Sequence, residues 1–281
     1  MLWDGDDAGG AEALRPALGN LPEGHPLRDV PEGGVAEALR RLRAGPARAV
    51  HFTGYYEPEI EGALARSDAF PVPVHAEPPG GVGAARAEIE ARDLLAGHEV
   101  AWLRDEVDRF FLQVQGSGRV RLAEGGVLRL THAAKNGHPY VSIGKLLIER
   151  GEMDAATITA EGLKAWLRAD RARGVALMRE NPSYVMFRVL RARAEEGPPG
   201  ALGLPVTEGR TIAVDPDEIP LGTPCWIEVD APSPIRRLVV AQDVGSAIKG
   251  ARADLFHGTG AAAGVAAGAL NHPGRLVPLL P

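Results

Sequence analysis

The run from Ala241 to Gly260, AQDVGSAIKGARADLFHGTG, holds two aspartates eleven residues apart, Asp243 and Asp254, with Lys249 between them and four glycines around them. It reads as poor in helix and strand formers, so its carboxylates need an explanation. Asp243 closes the apolar run LVVAQ, where a strand leaves the core, which puts its side chain at a strand end. Asp254 sits between Ala253 and Leu255 in RADLFHG. Apolar neighbours strip water from a carboxyl and raise its pKa, and a carboxyl kept protonated near neutrality is what a general acid requires. The plain alternative is an aspartate that caps turn N–H groups, and this suits Asp215 and Asp217 in VDPDEIPLG.

The bulk numbers limit what surrounds this stretch. The chain of 281 residues is long enough for one large domain or two smaller ones, each with a real core. Hydrophobic residues at 45% and charged residues at 24% are ordinary for a globular protein. With Gly 35 and Pro 23, turns are frequent, so the expected class is mainly β with added helices. A net charge of −6 argues against nucleic acid as a partner. Arginine-rich spots, Arg40–Arg41–Arg43 and Arg188 to Arg193, read as solvated faces. The single cysteine, Cys225 in the apolar run PCWIEV, excludes an intramolecular disulfide and a cysteine-based zinc site, and reads as a small buried hydrophobe. No stretch has the length of a membrane-spanning helix, and the start MLWDGDDAGG lacks the basic and apolar regions of a signal peptide.

Periodicity predicts helices over Gly34–Ala44, Ala84–Ala96 (ended by Gly97), Asp105–Leu112, Val141–Arg150, Thr159–Arg173 and Gly260–Leu270. Strands are expected at Ala49–Tyr56, at the proline-bearing edge segment Pro71–His75, in a hairpin around the turn AEGG within Val114–Leu130, and in TIAVD, CWIEV, RRLVVAQ and RLVPLL. The charged and then Pro/Gly-rich run RARAEEGPPGALGLP reads as a crossing loop or domain boundary.

Other chemistry is weakly supported. GSG at Gly116–Gly118 has neither a nucleophile elbow's spacing nor a phosphate loop's Lys-Ser/Thr; it is a tight turn or a surface where a ligand approaches the main chain. His132 and His138 lack a carboxylate at metal-ligand spacing, so no metal is expected. His257 either supports Asp254 or is plain surface. Tyr55, Tyr56 and Trp102 are sugar-stacking platforms or core aromatics.

Six segments in order, FTGYYEPEIEGA, FFLQVQGSGRVRL, KNGHPYVSIGKLLIERG, NPSYVMF, VDPDEIPLG and QDVGSAIKGARADLFHGTG, together resemble the MltA family of lytic murein transglycosylases, the last two its "3D" module. The resemblance covers the chain from about Phe52 onward. It implies a double-psi β-barrel from residues 1–56 plus 190–281, with the 3D module at 210–260. A β-rich, barrel-like domain of residues 57–189 is inserted, and a glycan groove lies between the two. It implies cleavage of the β-1,4 MurNAc–GlcNAc bond of peptidoglycan without water, leaving a 1,6-anhydroMurNAc end. In the DxGxAIKGxxxDxxxG pattern the catalytic aspartate maps to Asp254, with Asp243 tuning it; the third aspartate maps to Asp215.

A hydrolase normally needs two carboxyls, whereas here the attacker is the MurNAc 6-hydroxyl, so one carboxyl suffices and no cofactor is required. Groove groups proposed by motif are Tyr55, Gln115, Gly116, Ser117, Lys135, Asn136, His138 and Asp215; Lys145 and Lys249 are groove or structural charges. The implied partners are glycan strands and other cell-wall enzymes, with the protein a monomer. The implied location is the periplasm, often at the outer membrane. Since this start carries neither signal peptide nor lipobox cysteine, the expectation is a true start upstream or an export segment outside this sequence. Two other readings compete: a hydrolytic glycosidase using Asp243 and Asp254 with water, and a non-catalytic peptidoglycan-binding protein.

Overall fold

The structure, a computed structural model, describes residues 10–18, 27–155, 157–191 and 196–281. The beginning of the MLWDGDDAGG segment and residues 192–195 of the expected crossing loop lie outside these. The chain divides into two compact units, residues 1–56 with 193–281 and Glu57–Ala192. The described strands are, in chain order, β1 (Arg43–Ala44), β2 (Arg48–Glu57), β3 (Glu59–Ala63), β4 (Val72–His75), β5 (Glu99–Leu103), β6 (Ser117–Leu122), β7 (Val127–Lys135), β8 (Val185–Val189), β9 (Thr211–Val214), β10 (Pro224–Val229), β11 (Ile235–Asp243), β12 (Arg252–Thr259) and β13 (Asn271–Leu280).

In the first unit the strand order is β1-β13-β10-β11-β9-β12-β2, and β13 also pairs with β2, so six strands close into a ring. β11 and β9 run parallel, while β12 is antiparallel to β9. Alternate residues point inward: Val50 and Phe52 of β2, Ile212 and Val214 of β9, Val239 and Ala241 of β11, and Ala253 and Leu255 of β12 form one core. Eight strands leave an interior just wide enough for side chains, so a ring of six is filled by its own. Any chemistry must then sit on the outer face or at an end. Part of the outer face is taken by Leu14 and the helix Val35–Arg40, which pack Val35 and Leu39 on Trp226, Leu238, Val240 and Val277. That helix is shorter than the expected Gly34–Ala44 because Arg43 and Ala44 pair with Leu280 and Leu279 instead.

The segment expected to be poor in strand formers is half strand. Arg252–Thr259 forms β12, with Ala253, Asp254 and Leu255 in register with Val214, Ala213 and Ile212. Barrel closure supplies what local propensity lacks, since β-propensity mostly measures packing against neighbours.

The second unit is a sheet of order β4-β5-β3-β6-β7-β8. Its edge strands β4 and β8 come close, and a 2.9 Å hydrogen bond joins His75 Nδ1 to the Tyr184 hydroxyl just before β8. The proline-bearing segment is an edge strand, as its missing donors require. β6 and β7 form the expected hairpin, with Gly125 and Gly126 at positive φ in its turn. The helix Glu106–Gln115 is capped by Asp105, whose carboxylate accepts the Asp108 N–H, and ends at Gly116 with φ +76.

The expected helix Thr159–Arg173 is instead two, Ala160–Ala169 and Arg171–Arg179, broken at Asp170. Asp170 accepts the Arg173 N–H at 3.1 Å and caps the second helix. Gly174 lets that helix fold back, since a Cβ there would lie 2.2 Å from the Leu167 carbonyl oxygen. Likewise the helix at Arg86–Arg92 stops short of Ala96 because Asp93 takes a left-handed conformation, φ 51.

Candidate active site

Asp254 faces away from the barrel interior, because Ala253 and Leu255 on either side of it face in. Its register partner on β9 is Ala213. Asp243 on β11 also pairs with Ala213, because the register shifts between Ala241 and Asp243. That irregularity matters. Without it Asp243 would follow Val239 and Ala241 into the core; the extra residue turns its side chain to the outer face, the usual effect of a bulge. Gln242, the extra residue, is buried and hydrogen-bonded to the Thr211 hydroxyl.

The two carboxyls therefore flank one alanine on three neighbouring strands, at a Cα spacing of about 10 Å from two strand separations. On the fourth strand, β2, inward Val50 and Phe52 imply that Thr53 and Tyr55 share the outer face. Thr53 hydrogen-bonds to the Asp254 carboxyl through its side chain. The Tyr55 hydroxyl donates to Asp243 Oδ2 at 3.0 Å, and its ring tilts on Phe256 at 5.1 Å between centroids.

The two aspartates differ in how they are held. Asp243 Oδ1 accepts the N–H groups of Ala201 at 3.1 Å and Val244 at 2.9 Å. Burial raises its pKa, opposed by these bonds and by Tyr55. Asp254 is half-buried; its Oδ1 is wholly shielded and has no hydrogen-bond partner. Burial pushes this carboxyl up to about 6, opposed by Thr53 and the Arg252 charge and reinforced by the Asp243 charge. Burial, helped by the charge and hydrogen bond of Asp243, also lifts the Tyr55 phenol well above its ordinary value. The site thus has a carboxyl that keeps its proton up to about pH 6, a second carboxyl beside it, and a neutral phenol.

His257 does not support Asp254. Alternation puts it with Ala253 and Leu255, and its Nε2 is shielded with no partner. Burial lowers its pKa. Asp215 is buried and locks a loop: it accepts the Gly250 N–H at 2.9 Å, the Asp217 N–H at 3.4 Å and the Lys249 ammonium at 3.3 Å, and its pKa falls chiefly through the Gly250 bond. This is the capping role that its turn context suggests. Lys249 is accordingly an ion-pair partner.

In the second unit, Gln115 ends the helix Glu106–Gln115, Gly116 follows in left-handed conformation, and Ser117 is the buried first residue of β6. Exposed Lys135 ends β7, and His138 Nε2 lies 2.9 Å from the Gly83 carbonyl. Asn136 is 4% exposed; its amide donates to the Ala84 and Pro182 carbonyls, both at 2.8 Å, and accepts the Tyr184 N–H at 2.8 Å. With those bonds it braces the Ala84, Pro182 and Tyr184 backbone from inside the protein. Cys225 is fully buried. No cluster of His, Cys, Asp and Glu suited to a metal occurs among the described residues.

Thr53 and Ala213 escaped the sequence reading. The alternation of Val50, Phe52, Thr53 and Tyr55 in AVHFTGYY carried the signal for Thr53 once the strand was identified. Ala213 needed the register.

Residues 82–188 match the MltA specific insert domain and residues 210–280 the 3D domain. The membrane-bound lytic murein transglycosylase A of Escherichia coli K12 is 37% identical over 238 residues, 81% of this chain and 64% of that protein. The chain thus spans less than two thirds of that relative's length. Among solved structures, E. coli MltA with bound chitohexaose matches with a TM-score of 0.76 at 34% identity, over 83% of this chain and 73% of that one. The lytic transglycosylase LtgG of Burkholderia pseudomallei matches with a TM-score of 0.67 at 37% identity, over 100% and 92%. With both of its characteristic domains matched and this identity across its length, the chain belongs to the MltA family.

Proposed function

We propose that this protein is a lytic transglycosylase that cleaves the β-1,4 MurNAc–GlcNAc bond of peptidoglycan, with Asp254 as its single general acid and base. The observation that carries the reading is the Asp254 carboxyl, half-buried, with Oδ1 shielded and without a hydrogen-bond partner, and raised to about 6. The names of its relatives, and the E. coli relative crystallised with chitohexaose, support a glycan substrate.

Protonated Asp254 donates to the glycosidic oxygen as the C1–O bond breaks, and the GlcNAc hydroxyl leaves. The resulting carboxylate takes the proton of the MurNAc 6-hydroxyl as that oxygen closes on C1. The proton count balances, no water is consumed, and Asp254 ends protonated for the next cycle. Such proton transfer contributes about 10²–10⁴-fold; the remainder comes from holding the 6-hydroxyl near C1 and from charge stabilisation. Asp243 supplies negative charge beside the cationic state, and Tyr55 fixes its orientation. Gln115, Gly116, Ser117, Lys135 and His138 are proposed sugar contacts, Asn136 and Asp215 internal supports. The reaction needs no cofactor, and the protein acts as a periplasmic monomer on a double-psi barrel.

Digestion of purified sacculi in ¹⁸O-water tests the chemistry. Fragments ending in 1,6-anhydroMurNAc without ¹⁸O support it. Reducing ends that carry ¹⁸O would assign a hydrolase that uses both aspartates. Binding with no soluble product would assign a non-catalytic protein.

A further inference from the structure

Ala213 stands out on β9. Its neighbours Thr211, Ile212 and Val214 are β-branched, the type a strand favours, while alanine is depleted in strands. Ile212 and Val214 fill the barrel, so Ala213 points to the outer face. It is 3% exposed there, hence its methyl is roofed by neighbouring side chains. In register on either side stand Asp243 and Asp254. A larger side chain at this position has no open solvent to grow into; it must push aside the groups that cover it.

We infer that Ala213 is a positioning residue, its methyl being the spacer across which Asp243 and Asp254 address one sugar linkage. This rests on the proposed transglycosylase reading and deepens it. The bulge at Ala241–Asp243 turns one carboxyl outward, the β12 register sets the other, and the small residue between them lets the side chains that cover it sit close against the strand. Side-chain volume here sets the geometry of the pair, since displacing a reacting group by about 1 Å can cost 10²-fold.

The test compares Ala213→Val, Ala213→Ser and Asp254→Asn on soluble glycan strands, each alone and the first also with Asp243→Asn. Ala213→Val is expected to lower kcat about 10²-fold at unchanged KM, with parental circular dichroism. Ala213→Ser, nearly isosteric, restores most of the activity. In the Asp243→Asn background the valine effect shrinks, because the relation it disturbs is already gone; a merely structural role leaves the effects additive. Parental kcat in a folded Ala213→Val, or full additivity, overturns the inference while leaving the role of Asp254 intact. Parental activity of Asp254→Asn overturns that role instead. If Ala213→Val does not fold, Ala213→Cys takes the same comparisons with the same two outcomes.

Discussion

A carboxyl that gives up a proton and then takes one back works best when its pKa lies close to the pH at which it acts. Burial gives Asp254 that value, and the hydroxyl of Thr53 limits it. Activity is therefore expected to fall as pH rises through about 6, read from initial rates across pH. Thr53→Val removes a bond that favours the charged carboxylate, so the alkaline limb of the profile moves to higher pH; an unmoved limb would leave Thr53 without this role. The same shift acts on stability. In the folded protein Asp254 holds its proton up to about 6 against 3.8 as its ordinary value, so its contribution to stability is present below 3.8 and is lost as pH rises through this window. Asp254→Asn should then stabilise the fold at neutral pH, by at most about 3 kcal/mol and less for a side chain partly open to solvent. Urea unfolding at pH 7 and at pH 4 measures it, with the difference expected at pH 7 only.

At the scale of elements, the outer face of four strands is assembled by one bulge and one close approach. Gly54, between Thr53 and Tyr55, lets β2 lie against the helix Ala261–Ala269: a Cβ there would be 2.6 Å from Ala267 Cα and 2.7 Å from its carbonyl oxygen. Gly54→Ala must part the strand from that helix, moving both site residues. Its expected cost is about 1–3 kcal/mol of stability, by thermal unfolding, together with a loss of activity greater than that of Thr53→Val. Away from this face, Asp170→Ala removes only a helix cap and should lower stability by about 1 kcal/mol with kcat unchanged. Local signals read some elements well. The AEGG turn with alternating flanks gave the β6–β7 hairpin, and the aromatic run at Ala49–Tyr56 gave most of β2. They failed where partners decide: at β12, made a strand by its neighbours, and at Arg43–Ala44, drawn out of a helix by β13. Asp170 failed for a different reason, since its capping geometry, not its place in the helical period, ends one helix and starts the next.

For the whole molecule, the ordered motifs pointed to the family, and that resemblance singled out Asp254; its apolar neighbours by themselves implied only desolvation. What remained out of reach was which groups besides Asp243 stand next to it, and how. Asp243, Ala213 and Asp254 lie on three strands of one stretch and Thr53 on a strand far earlier in the chain, and only strand order, a bulge and register bring them into a row. Asn136 and Asp215 show the converse: polar residues inside a recognised motif that bond chiefly within the protein. The central claim is that one carboxyl serves both steps of an internal ring closure. It is tested most directly by the release of anhydro-ended fragments from sacculi by Asp254→Asn beside the parent protein, both shown to be folded and to bind murein. The predicted result is fragments from the parent and loss of about 10²-fold or more in the variant; undiminished release by the variant would contradict it.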